Sequence, residues 1–131
     1  MNHRLRAVAL PLILILAASC ATVTSGDPVV VNAERSVNIA FETIDTFLYI
    51  EHNHAAEIAQ VSDDVHTVAE TLRVNGPEAF RKARRLIDVY KTSRNDQAKA
   101  DMLTALAFVQ ALANEVTPYL ARYEANKNGG Q

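Results

Sequence analysis

The chain holds one cysteine, no tryptophan, four glycines and four prolines in 131 residues. A single cysteine excludes an intramolecular disulfide and any paired-cysteine metal or haem motif. So few glycines and prolines argue against an all-β chain, which needs turn residues at short intervals. A helical class is favoured before any periodicity is considered. No serine sits on a strained-turn motif and no glycine loop could cradle a phosphate, so catalysis finds no motif to rest on. The expectation is a non-enzyme without a bound cofactor. The length suits one domain. A formal charge of -2 argues against a general nucleic-acid binder.

The first nineteen residues look like a targeting segment. Met1 to Arg6 is short and basic, and Ala7 to Ala18 is apolar. Twelve such residues, with Pro11 among them, are too few to cross a bilayer core comfortably as a helix. A cleaved export signal is therefore preferred over a permanent anchor. Leu16-Ala17-Ala18-Ser19-Cys20 resembles the lipobox of bacterial lipoproteins. The resemblance departs from the favoured pattern at Ala17, where leucine is usual.

The resemblance implies a diacylglyceryl group on the Cys20 thiol and cleavage between Ser19 and Cys20. In Gram-negative bacteria a further acyl chain such as palmitate is usually added to the new amine. Ala21 comes after the cysteine, where the family's sorting rule reads an aspartate as an inner-membrane signal. The implied place is therefore the periplasmic face of the outer membrane. The alternative is ordinary cleavage after small residues, with Cys20 a bystander. Lipidation has the merit of explaining an unpaired cysteine in an exported chain. Several acyl chains on one residue hold far more firmly than one. Cleavage would leave 11 basic and 15 acidic residues, a balance of -4.

Residues 20–29 carry the modified cysteine and a tether rich in Thr, Ser and Gly that ends in Gly26-Asp27-Pro28. Residues 30–125 form the expected bundle domain, and 126–131 a polar, disordered tail. Val30, Ala33, Val37, Ala40, Phe41, Ile44, Phe47 and Leu48 recur at helical steps. Ala55, Ile58, Val61, Val65, Val68, Ala69 and Leu72 resume the pattern. The polar interval from Glu51 to His54, and Ser62-Asp63-Asp64 as a capped start, predict two helices near 31–59 and 63–74. One unbroken helix is the alternative. Asn75-Gly76-Pro77-Glu78 predicts a stop and a restart. A third helix then runs to about Thr92. After Ser93-Arg94-Asn95-Asp96 a fourth helix begins, capped by Asn95 or Ser93, with Pro118 kinking or ending it near Thr117. The fold class is all-α, a small antiparallel bundle of three to four helices.

Two surface clusters stand out. Glu51, His52, His54, Glu57, Asp63, Asp64 and His66 lie close in sequence, and imidazoles with carboxylates bind transition metals when three or four converge. His54 and Glu57 can share a helix face, but His52 and His54, two apart, cannot. A solvated patch near a helix end is the simpler account. Arg81, Lys82, Arg84 and Arg85 make the third helix basic, while residues 27–70 hold nine acids and one base. These four can contact an anionic surface such as lipid headgroups, lipopolysaccharide or an acidic partner. The simpler account, favoured by both charge signs lying on neighbouring helices, is mutual complement within the bundle.

The function expected is that of a lipid-anchored envelope protein that binds an envelope protein or polymer, or serves a structural role. A periplasmic metal-binding or metal-sensing module is the alternative, and a phage- or plasmid-borne lysis or exclusion lipoprotein a third. Oligomeric state stays open, because a bundle of this kind can bury every apolar stripe or leave one for a second copy.

Overall fold

A computed structural model describes residues 26–129. The signal segment, Ser19, Cys20 and the tether as far as residue 25 lie outside the described residues. The described chain is all-α and contains no strand. Three long helices, α1 (Pro28–Asn53), α3 (Val65–Ser93) and α4 (Asp96–Gly129), run up, down and up, with α3 antiparallel to the other two and each packed against both of its neighbours. A single turn, α2 (Ala55–Ile58), sits in the knee between α1 and α3.

α1 starts at the tether's last residues. The Asp27 Oδ1 accepts the Val29 amide at 2.9 Å, and Pro28 takes the first turn, where its missing N–H costs nothing. The helical face from Val30 to Phe47 is buried as its spacing predicts, with one exception: Phe41 is 44% exposed. His54 ends α1 with non-helical backbone angles (φ -129°, ψ 36°), so the helix expected to reach 59 stops at Asn53.

The expected start at Ser62-Asp63-Asp64 is close to the true one, but the cap differs. Asp64 occupies the N-cap position of α3 and makes no side-chain capping bond. Its carboxylate instead accepts the Tyr119 hydroxyl at 2.8 Å. By contrast, Asn95 does cap α4, accepting the Ala98 amide at 2.8 Å.

The break placed at Gly76-Pro77 and the ending placed near Thr117 are corrected. α3 passes through Asn75-Gly76-Pro77-Glu78 without interruption, and α4 passes through Pro118 to Gly129. Gly76 keeps a negative φ, so it is not the left-handed residue that would close a helix. Glycine and proline together cost a helix about 4 kcal/mol relative to alanine. Leu72 on one side of the pair, and Phe80 and Ile87 on the other, are each at most 6% exposed. Burying such side chains contributes about 1.5–3 kcal/mol apiece, and one continuous rod is what places all three in the core. The same holds at Pro118, between Val116 and Tyr123. The residues expected to form a tail from 126 are helical as far as Gly129.

The core is made largely of small and medium side chains. Ala33, Ala40, Ala69, Ala79, Ala83, Ala98, Ala105 and Ala113 are all buried, around Phe47, Met102, Val109 and Val116. Alanine at a helix contact lets two backbones approach closely.

Candidate functional site

The knee between α1 and α3 gathers most of the residues in the acidic, histidine-bearing cluster. Glu51 is 7% exposed although it carries a charge. It lies on the core-facing line of α1, one turn beyond Phe47. Two groups on α3 compensate for its burial. Arg73 donates to one of its oxygens, and His66 Nδ1–H donates to the other at 2.8 Å. Arg73 is shared with Glu70 on its own helix. The His66 hydrogen bond, seconded by Arg73, holds the Glu51 carboxyl below its ordinary range, against the opposing effect of burial. In return, the bond to Glu51 raises the Arg73 guanidinium.

α4 closes the knee from the other side. Tyr123 is buried at the ring and donates its hydroxyl to Glu57 Oε2 at 3.0 Å. Tyr119 packs on Phe47 with ring centroids 5.8 Å apart and donates to Asp64. Glu57 is held below its usual range first by Tyr123 and then by His54. Asp64 is lowered by Ser62 and then by Tyr119. Both phenols are raised, Tyr119 mainly by its hydrogen bond to Asp64 and Tyr123 mainly by burial. Carboxylates held anionic and phenols held neutral sit away from their titration points at neutral pH. The knee is thus a set of latches between helices.

Of the sequence-predicted metal residues, His54 and Glu57 come together, with Nδ1 and Oε1 3.5 Å apart. His52 is exposed on the last turn of α1 and takes no part in that approach. Among the described residues, no three His, Asp or Glu side chains are grouped to hold a metal ion.

The basic run on α3 is placed differently from its acidic counterparts. Complement between helices accounts for Lys91, which pairs with Glu34, for Arg94, which pairs with Asp27, and for Arg73. It does not account for the four residues singled out. Arg81 pairs with Glu78 on its own helix at 2.9 Å. The Arg84 guanidinium lies 5.6 Å from the Phe41 ring centroid. Lys82 and Arg85 are exposed and make no ion pair among the described residues.

Sequence reasoning missed Tyr119 and Tyr123, whose hydroxyls reach the knee. Their one-turn spacing, on a face that ends opposite a run of acids, is the signal that was there to read. No helix among the described residues is long and apolar enough to cross a membrane. No family model matches this chain, and no curated protein or solved structure matches it.

Proposed function

We propose that the protein is a lipid-anchored lipoprotein of the Gram-negative envelope, held through Cys20 on the periplasmic face of the outer membrane. Its bundle serves as a non-enzymatic partner-binding or structural module. The observation that carries this reading is the lone Cys20, set behind small residues at the end of an apolar stretch too short to span a bilayer.

The distribution of charge supports an orientation for such a module. Asp27, at the N-terminal end of α1, lies beside Arg94 in the turn between α3 and α4. A plane through the Phe41–Phe80 contact divides the bundle into this end and the end that holds the knee. The half near Asp27 carries eight bases, from Arg35 and from Arg81 to Lys99, and five acids, a balance of +3. The half with the knee carries three bases and ten acids, a balance of -7. Eight residues from Cys20 to Asp27 span at most about 27 Å when fully extended. A bilayer holding Cys20 would therefore have the basic half nearby, where anionic headgroups attract it, and the acidic half directed away.

Intact mass of the membrane-extracted protein, beside a Cys20→Ala variant, tests the anchor. The expected product begins at Cys20, carries added acyl mass, and loses it in the variant. An unlipidated product cut elsewhere would sink the reading.

A further inference from the structure

We propose that the groove between α1 and α3 is a binding site for an anionic single-chain amphiphile, specifically a fatty-acid carboxylate. The proposal rests on described residues alone and stands whether or not Cys20 is acylated. The groove is open to solvent along one side and holds about 350 Å³. Its floor is apolar, built from Ile44 and Leu48 of α1 and Leu72 and Phe80 of α3. That volume is at the low end for small-molecule sites, which suits one acyl chain.

Gly76 is what opens it. The residue is buried, yet a methyl group added there would meet no atom within 4 Å beyond the adjoining residues and its own helix backbone. A side chain is missing from the wall, in the middle of a helix where glycine and the proline after it are both costly. The space lies against an aromatic pair, Phe41 and Phe80, set edge to face at 5.5 Å.

The rim supplies the recognition of charge. Arg84 lies over Phe41 and has no carboxylate partner among the described residues. Arg81, one turn away on the same rim, has only the exposed Glu78. Asp45, on the opposite edge, discourages an anion there and directs the head group to the α3 side. A guanidinium fork matches a carboxylate in two parallel hydrogen bonds. A carboxylate at Arg84, with its chain laid over Phe41 toward Gly76, satisfies both the unpaired cation and the apolar floor.

Calorimetric titration of dodecanoate into the complete chain carrying Cys20→Ser, purified without detergent, tests this. Dodecyltrimethylammonium, with the same tail and the opposite charge, is the comparison. Dodecanoate is expected to bind in the micromolar range and the cationic amphiphile at least tenfold more weakly. Gly76→Leu should fill the groove and abolish binding while helical circular dichroism is retained. Arg84→Gln changes an exposed side chain and so keeps the test open if Gly76→Leu does not fold; it should weaken dodecanoate about tenfold, close to 1.4 kcal/mol. No binding up to millimolar dodecanoate, equal affinity for the two amphiphiles, or affinity unchanged by Arg84→Gln would each overturn the proposal.

Discussion

Asp27 uses its two carboxylate oxygens for two different ends of the chain. Oδ1 caps α1 through the Val29 amide, while Oδ2 accepts from Arg94, 67 residues later. Arg94 is itself in the left-handed backbone region, with φ 52°. It ends α3 where glycine is usual, and its Nε–H donates to the Lys91 carbonyl at 3.1 Å. The side chain therefore ties the α3–α4 turn to the start of α1 at some backbone cost.

Two stability measurements separate these roles. Asp27→Ala removes the cap and the tie, and thermal unfolding should show a loss of about 1 kcal/mol or more. Arg94→Ala and Arg94→Gly both remove the tie, but only glycine relieves the backbone. Arg94→Gly should therefore be the more stable of the two by about 1 kcal/mol. Equal stabilities would mean that the turn is not strained.

The Glu51 node makes stability depend on acid pH. Its folded carboxyl is held below the unfolded value of 4.5, so the contribution is complete above that pH and is lost as pH falls through the lower folded value. Denaturant midpoints should drop below about pH 4.5, and Glu51→Gln should flatten that drop. Arg73 is 34% exposed and can regain water when its partner is removed. Glu51→Ala should therefore cost about 1–3 kcal/mol, less than a fully buried pair would. A midpoint profile as steep in Glu51→Gln as in the parent would assign the acid sensitivity elsewhere.

At the alkaline end the tyrosine latches act in the opposite sense. Tyr119 and Tyr123 have folded values above 10.0. Their contribution is complete below the unfolded value and is lost as pH rises through the folded one. Spectrophotometric titration should show two phenols ionising late. Asp64→Asn should bring the Tyr119 step down, and Glu57→Gln the Tyr123 step. Steps that stay in place would detach the hydroxyls from these acids.

Gly76→Ala offers a test of the groove's emptiness that needs no ligand. The added methyl meets nothing within 4 Å beyond the adjoining residues and its own helix backbone, and alanine is the better helix former. Stability should rise by about 0.5–1 kcal/mol. A loss on denaturation would mean that the wall is already closed there. The opposite experiment is Ala83→Leu, at a position that is 0% exposed. It should cost about 1–3 kcal/mol by forcing the helices apart.

The fold class was legible because the apolar spacing on each helix is regular over many turns. The run from Val30 to Phe47 needed little else. Boundaries at Gly76-Pro77 and Pro118 were misjudged because local propensity was weighed without the packing on both sides. Leu72 and Phe80 draw one rod through the pair. The histidine-bearing cluster was visible as a cluster, but its chemistry was not, because that depends on Arg73 and the two tyrosines arriving from α3 and α4. The groove could not be read at all. It depends on Phe41 lying outside the core and on Gly76 being inside a helix.

Three long rods that alternate in direction are an odd number. Parity alone then puts the first residue of α1 at one pole and the last residue of α4 at the other. At 1.5 Å per residue the separation is about 40–50 Å. An even-numbered bundle would bring both ends back to the same side. Here the two ends are held a full helix length apart.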